Sequence, residues 1–310
     1  MNMDLKVINT EYFGIQRKMV AAMTTESWQN IPHVTYIYQP DIGKFFDGYR
    51  EINAKRAPED KITFNTVMLK VISEGIKAAP QLNAHIKYNP HTIRGKITTY
   101  ENINMSIATI LPNGEMMTTN LHDCQCKSLK EITRDVKDLR RRAEKSDLNE
   151  AMYTVSFNRT VKTIKEGRLI EAMLRILGAK TGKCKVKTLK GKAKKEYHSK
   201  PPTERLVDRD IEQGTITISN VGSLDIRQRG MVGILEIIPP QVCAICIGAV
   251  EDRAVVKKDS NGNKYIDIGK ILPLTIAFDH RALDYGDVLP FTQKLDEIFA
   301  NPQLIHDWME

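Results

Sequence analysis

The chain has 310 residues, of which 41% are apolar and 27% are charged, so it can form a packed core and does not resemble an intrinsically disordered protein. It has five cysteines, and its N-terminal stretch lacks the apolar core of a signal peptide. No apolar run approaches the roughly 18 residues that a bilayer span requires. We therefore expect a globular protein of the reducing cytoplasm.

The first half of the chain predicts helices and strands in alternation. A helix is predicted at 17–29, and a strand is predicted at 34–41, where apolar and polar residues alternate. The other predicted elements of this half are helices at 42–55, 63–79 and 127–145, strand-like runs at 85–93, 103–111 and 116–121, and a turn at 112–115.

The second half begins with a strongly basic segment. Between Arg159 and Lys200 there are 14 Lys or Arg and 3 Asp or Glu, a local charge of +11, so the rest of the +8 chain carries about −3. A helix is predicted at 160–177, and 178–202 lacks clear periodicity. The elements predicted after it are strands at 214–222, 241–250, 253–258, 264–269 and 271–279 and a helix at 284–300.

This order of elements predicts an α/β fold, a two-layer sandwich in which helices pack against a mixed sheet. We predict a single domain over residues 1–310, interrupted by a basic insert at 151–209.

The segment FDHRALDYGDV places His280 between the end of a predicted strand and the start of a predicted helix. A histidine titrates near neutral pH and can take a proton from a thiol or a hydroxyl. Asp284 stands at the helix start, where the helix dipole favours a carboxylate. On its own, a His-x-x-x-Asp motif is more typical of an ordinary histidine at a strand end than of a catalytic base.

The same segment resembles the H-R-x-x-D signature of the acyltransferase catalytic domain of 2-oxoacid dehydrogenase complexes, a family that shares the chloramphenicol acetyltransferase fold. Other segments resemble the family in the family's own order, and they lie at 17–35, 63–86, 127–148, 214–223 and 239–256. The resemblance therefore implies a chloramphenicol acetyltransferase-like fold for the chain.

The resemblance also implies roles for individual residues. His280 would be the general base that takes the thiol proton of coenzyme A or dihydrolipoamide. Ser219, in the T-I-S motif, would donate a hydrogen bond to the oxyanion of the tetrahedral intermediate. Asp284 would orient the site by pairing with an arginine, for which Arg17 is the candidate. Asn83, in Pro-x-Leu-Asn, would be structural or close to the site, and no metal is required.

Three departures from the family pattern bear on the reaction. Tyr285 replaces the glycine that usually follows the aspartate, which predicts a reshaped turn or a side chain that lines the channel. The strand after the turn at 112–115 reads MMTTNLHD, so Met117 and His122 are pocket candidates, although methionine is more often core filler. No lipoyl or subunit-binding domain is recognisable, so we expect a lipoyl group only from another chain.

The resemblance implies an acyltransferase that moves an acyl group between coenzyme A and a thiol such as dihydrolipoamide. It implies a homotrimer with active sites at the subunit interfaces, where His280 comes from one subunit and Ser219 from its neighbour. A larger assembly would depend on contacts of the C-terminal tail. Two alternatives stay open: an amine or hydroxyl acceptor, and a catalytically lapsed scaffold of the same fold.

The predicted insert at 151–209 resembles a cationic insert in a stand-alone branch of the family. A solvated loop with a docked helix is one interpretation. The others are a surface for the phosphates of coenzyme A, for a lipoyl or other acidic carrier domain in trans, for a membrane or for nucleic acid. Nucleic acid is the least favoured, because no aromatic stacking face accompanies the lysines.

Overall fold

The computed structural model describes residues 6–110, 116–165, 167–225 and 227–309, and the turn predicted at 112–115 lies outside them. The chain divides into two compact units. The helical unit comprises Met1–Met23 and Arg142–Glu212, and the sheet unit comprises Thr24–Arg141 and Gln213–Glu310. The predicted insert at 151–209 lies within the helical unit.

Strands and helices alternate along the chain much as the sequence predicts. The strands of the described residues are β1 (His33–Tyr38), β2 (Ala84–Asn89), β3 (Arg94–Thr99), β4 (Met105–Ile110), β5 (Met116–Leu121), β6 (Ile216–Asn220), β7 (Cys243–Ile247), β8 (Glu251–Lys258), β9 (Lys264–Ile271) and β10 (Leu274–Asp279). The α-helices of the same residues are α1 (Ile15–Asn30), α2 (Gly43–Ala54), α3 (Phe64–Ala78), α4 (Leu129–Glu144), α5 (Leu148–Lys165), α6 (Leu169–Lys180), α7 (Gly191–Ser199), α8 (Asp208–Ile211), α9 (Tyr285–Ala300) and α10 (Leu304–Asp307).

A mixed sheet forms the centre of the sheet unit. Among the described residues it has six strands in the order β1-β10-β7-β6-β4-β5. The strand β6 is parallel to both β4 and β7, and the remaining neighbours are antiparallel. The strands β2 and β3 form one hairpin, and β8 and β9 form another. The predicted mixed sheet is therefore confirmed.

The core of the sheet unit lies where α3 and α9 pack together beside the central strands, whose residues in β7 and β10 are all buried. The helix α3 begins after Thr63, whose hydroxyl accepts a hydrogen bond from the Thr66 amide at 3.1 Å. A Cβ added to Gly75 on α3 would lie 2.5 Å from Leu295 and 2.6 Å from Phe291 on α9. The absence of a side chain at Gly75 therefore permits this close contact.

A buried carboxylate organises the helical unit. Glu150 on α5 accepts hydrogen bonds from Lys194 at 2.8 Å and His198 at 2.9 Å, both on α7, and from the Leu189 amide at 3.2 Å. Burial alone would raise the pKa of Glu150, but these partners outweigh burial and lower it. The lysine-rich helix α7 is thus held in place by charge-assisted hydrogen bonds to one interior acid.

Three predictions about element boundaries are wrong. The helix predicted at 160–177 is two helices, α5 and α6, and Gly167 between them has φ 82°, a conformation that favours glycine. The helix α7 lies inside 178–202, where the sequence predicts no element. The strand predicted at 271–279 is interrupted, because β9 ends and β10 begins on either side of Pro273, which has no amide hydrogen to donate.

The packing of α3 on α9 can be tested by adding one methyl group. Gly75→Ala is expected to lower the free energy of unfolding by about 1–3 kcal/mol, because the new Cβ overlaps Leu295 and Phe291. Gly286→Ala, in the first turn of α9 with no atom within 4 Å of the added Cβ, is the matched control. It should be neutral or stabilising by up to about 1 kcal/mol. Equal stability of the two variants in urea denaturation would contradict the close contact.

Candidate active site

His280 lies at the end of the central strand β10. Its backbone amide donates a hydrogen bond to the Pro32 carbonyl at 3.0 Å, and the Leu283 amide donates to the Asp279 carbonyl at 3.0 Å. These bonds close the turn between β10 and α9. The His280 side chain is 54% exposed, so a rigid and buried strand presents the imidazole to solvent.

The imidazole ring is oriented through its Nδ1 atom. This atom lies 3.1 Å from the carbonyl oxygen of Leu283 and 3.3 Å from Oδ1 of Asp284. A carbonyl oxygen can only accept a hydrogen bond, so Nδ1 carries the proton in this arrangement. In the neutral ring, Nε2 then holds the lone pair. The geometry selects the tautomer in which Nε2 can act as a general base.

A buried ion pair fixes the backbone on either side of the imidazole. Asp279 is fully buried, and Oδ2 of Asp279 accepts from Nη2 of Arg281 at 2.6 Å, while Oδ1 accepts from the Arg281 amide at 3.0 Å. The guanidinium lies 5.6 Å from the centre of the Tyr88 ring on β2. Sequence reasoning gave Asp279 no role. Its position at the end of an otherwise mostly apolar strand, two residues before an arginine, is the signal that could have identified it.

Asp284 directly precedes α9, and its amide donates to the Asp287 carboxylate at 2.9 Å. Its own carboxylate is 83% exposed and contacts His280. The structure therefore brings Asp284 together with the predicted base. Arg17 lies on α1 in the helical unit, and the Arg17–Asp284 pair stays a prediction.

Ser219 lies on β6, at the opposite end of the sheet from His280. It is in register with Cys246 on β7, and Cys246 is in register with Thr275 near the start of β10. His280 follows the other end of β10. The two side chains are thus separated by about 17 Å along the strand and about 10 Å across the sheet, at ~3.3 Å per residue and ~4.8 Å per strand. Within one chain the structure does not bring the predicted base and oxyanion donor together.

The loop after Ser219 is tightly held. A Cβ added to Gly222 would lie 2.2 Å from the Gly248 carbonyl oxygen, so only glycine fits there. Asn220 donates from Nδ2 to Oδ1 of Asn65 at 2.6 Å. Ser219 is partly exposed beside the Cys246 thiol, whose pKa is raised by burial. The serine hydroxyl therefore lies near the end of β6, directly before a fixed loop, which suits a preorganised donor.

Asn83 is fully buried and bridges two segments of the sheet unit. Its Nδ2 donates to the Tyr100 carbonyl at 2.7 Å and to the Asn102 carbonyl at 3.0 Å. These contacts connect the end of the α3 region to the chain that leads into β4. They suit a structural role, which was one of the two roles expected for this residue.

Tyr285 stands where the family usually has glycine, and it is the first residue of α9. Its backbone does not have the positive φ angle that favours glycine. The substitution therefore introduces no backbone strain. Its half-exposed ring contacts Tyr36 on β1 edge to face, with 5.0 Å between the ring centres. The hydrogen bond with Tyr285, together with burial, raises the pKa of Tyr36. Tyr285 thus forms an aromatic pair five positions beyond the candidate base, at the same turn.

The other pocket candidates lie on or next to the edge strand β5. Met117 is buried on β5 opposite Thr109, and His122 directly follows the strand. Their role as pocket residues stays a prediction. Among the described residues, no group of three or more His, Cys, Asp or Glu side chains is placed to hold a metal ion.

The comparisons with known proteins identify the family. The profile described as 2-oxoacid dehydrogenases acyltransferase (catalytic domain) matches residues 6–157 and 185–306. The dihydrolipoyllysine-residue acetyltransferase component of the pyruvate dehydrogenase complex from Rickettsia prowazekii is 24% identical over 292 residues, which cover 93% of this chain and 53% of that protein. The chain spans about half the length of the curated relatives that it matches.

Two solved structures are similar over nearly the whole chain. A probable dihydrolipoamide acetyltransferase from Listeria monocytogenes has a TM-score of 0.63 and 19% identity, covering 96% of this chain and 95% of that one. The dihydrolipoamide acetyltransferase of Azotobacter vinelandii, described with the roles of a serine, a histidine and an asparagine in its catalytic mechanism, has a TM-score of 0.62 and 16% identity, covering 97% and 94%. These similarities confirm the predicted fold.

The stretch 158–184, between the two matched ranges, lies inside the predicted insert and is not covered by the family profile. The matched ranges nevertheless include the segments of both His280 and Ser219 and make up most of the sequence. The chain belongs to the 2-oxoacid dehydrogenase acyltransferase family.

Proposed function

We propose that this protein transfers an acyl group between coenzyme A and a thiol acceptor such as dihydrolipoamide. The observation that carries the proposal is the His280 ring, which is half exposed at the end of a buried strand and holds its Nδ1 against the Leu283 carbonyl. This leaves Nε2 as the basic nitrogen. Family membership supplies the reaction class, and the name of the Rickettsia relative suggests the acceptor.

In the proposed mechanism, Nε2 of His280 takes the proton of the attacking thiol. The thiolate forms a bond to the thioester carbonyl carbon, and the carbonyl oxygen becomes an oxyanion. The hydroxyl of Ser219 donates a hydrogen bond to that oxyanion. When the intermediate collapses, the original carbon–sulfur bond breaks and the departing thiolate regains the proton from the imidazolium. The two side chains thus suffice for the proton and charge transfers of the reaction.

The proposed site is shared between two subunits. A single chain holds Ser219 and His280 at opposite ends of β6, β7 and β10, so a site that contains both residues needs two chains. We propose a homotrimer, in which a cyclic arrangement gives three equivalent interfaces and three sites. The Rickettsia relative is named as a dihydrolipoyllysine-residue acetyltransferase component of the pyruvate dehydrogenase complex, which supports a larger assembly and a lipoyl group as the acyl acceptor.

The spacing of the site residues supports the same mechanism. In the Azotobacter enzyme the histidine and the asparagine named for the mechanism are four positions apart. Asp284 stands four positions after His280, so a carboxylate here takes the place of an amide. An ionised carboxylate 3.3 Å from Nδ1 stabilises the imidazolium that forms when Nε2 takes a proton. Asp284 is therefore proposed to support the base electrostatically.

His280→Ala is expected to lower kcat for transfer from acetyl-CoA to dihydrolipoamide by about 10²–10⁴-fold, because the general base is lost. The control is His91→Ala, at an exposed position in the turn between β2 and β3, which should keep the wild-type rate. Thiol release from acetyl-CoA is the measurement. An unchanged rate in the His280→Ala variant would contradict His280 as the general base, and a wild-type protein without any transfer activity would favour a scaffold that has lost catalysis. Running the same assay with amines and alcohols identifies any non-thiol acceptor.

Tyr285→Gly restores the residue that the family usually has at this position. We expect KM for acetyl-CoA or for dihydrolipoamide to rise by about 2–10-fold with little change in kcat, because an aromatic contact beside His280 is lost. Tyr285→Phe keeps the ring and should keep most of the affinity. A fall in kcat with unchanged KM values would show that Tyr285 positions the turn rather than contacts a substrate.

A further inference from the structure

One face of α6 is apolar and open to solvent. The five side chains on this face are each 57–77% exposed, and they are Leu169, Ile170, Met173, Leu174 and Leu177. Their spacing places them in one continuous row along the helix, the α6 stripe. Ala172 on the opposite side is 1% exposed, and it faces the interior of the helical unit, where α6 packs against α5. An exposed apolar row of this length indicates an interaction surface.

Basic residues precede and follow the α6 stripe. The segment from Arg159 to Lys200 has a net charge of +11. Lys180 at the end of α6 is exposed, and so are three lysines that follow the helix, Lys183, Lys185 and Lys187. The acidic residue of α6, Glu171, is bound by Arg168 at 2.6 Å and by Arg175 at 2.7 Å. Its charge is therefore compensated locally and does not oppose an anionic partner.

An aromatic side chain connects the N-terminal segment to the lysines. Tyr12 is 48% exposed, and its hydroxyl accepts a hydrogen bond from Nζ of Lys183 at 3.1 Å, with that nitrogen 5.2 Å from the ring centre. Lys18 donates to the Gly178 carbonyl near the end of α6. The helical unit thus combines apolar, aromatic and cationic side chains around the C-terminal half of α6. This combination is typical of helices that lie at a lipid–water interface.

None of the described helices is long and apolar enough to cross a bilayer.

We propose that the helical unit binds the surface of an anionic lipid bilayer through the α6 stripe. The five apolar side chains would enter the boundary between headgroups and acyl chains, and the lysines after α6 would contact the lipid phosphates. This proposal does not depend on the acyl transfer reaction or on its active-site residues.

Charge complementarity favours a lipid surface over a second copy of the chain. Two helical units that met through their α6 stripes would each bring a segment of charge +11 to the contact, which is repulsive. An anionic bilayer attracts the same lysines and also accepts a row of apolar side chains without a matching groove. An anionic bilayer therefore uses both the α6 stripe and the basic segment, because it is apolar inside and negative at its surface.

Vesicle co-sedimentation of the full chain tests the proposal. Wild-type protein should bind vesicles of phosphatidylcholine that contain phosphatidylglycerol, and it should bind pure phosphatidylcholine at least about tenfold more weakly, with binding reduced at high salt. The double variant Met173→Glu with Leu174→Glu should reduce binding by about tenfold or more. The matched control is Ile266→Glu with Ile268→Glu, at positions of the β8–β9 hairpin that are 78% and 72% exposed.

The outcomes separate the lipid surface from other occupants. Loss of binding in the α6 variant but not in the hairpin variant, with both proteins folded by circular dichroism, supports the proposal. Absence of wild-type binding to anionic vesicles overturns it, and so does equal binding to neutral vesicles. Light scattering completes the test. If light scattering gives a lower oligomeric mass for the α6 variant than for the wild type, and the wild type binds no vesicles, then a second copy of the chain covers the α6 stripe and the proposal is wrong.

Discussion

The pairing register of the central strands β6, β7 and β10 determines where the two candidate catalytic side chains lie. Ser219 on β6 is aligned through Cys246 on β7 with Thr275 at the start of β10, whereas His280 follows the end of β10. Shifting a strand by one residue would turn its side chains to the other face, so a packed sheet holds this register strongly. One chain therefore presents a basic nitrogen at one end of the sheet and a hydroxyl at the other. A reaction that needs both groups requires association of subunits.

The position and orientation of the His280 ring depend on interactions that are mostly buried. The Asp279–Arg281 ion pair and the hydrogen bonds that His280 donates to the Pro32 and Leu283 carbonyls fix both the backbone and the ring of His280. Such preorganisation matters because a base that must first reorient loses part of its catalytic advantage. Removing one partner of a buried ion pair leaves the other charge uncompensated, so the turn tolerates change poorly. The exposed Asp284 adds its charge beside this fixed ring.

The features that could be predicted from the sequence are those encoded by residues close together in the chain. The residues around His280 and Ser219 form short contiguous motifs, and the helix and strand periods identify most elements of the sheet unit. The family resemblance implied that His280 and Ser219 act from different subunits, but the helix and strand periods could not show their separation within one chain, because it follows from the pairing of strands distant in the sequence. The helix α7 was missed for a similar reason, since it is held by Glu150 through contacts across more than 40 residues. The periodicity of α6 likewise shows an apolar side without showing whether anything covers it.

The most direct test of a site shared between subunits is to combine two inactive variants. Ser219→Ala and His280→Ala chains, with different tags, would be co-expressed and the mixed trimers purified through both tags. Each mixed cyclic trimer contains one interface with both residues intact, so about one third of the wild-type rate per trimer is expected. Pure trimers of either variant should stay nearly inactive. Mixed trimers that are no more active than the single variants would contradict the account.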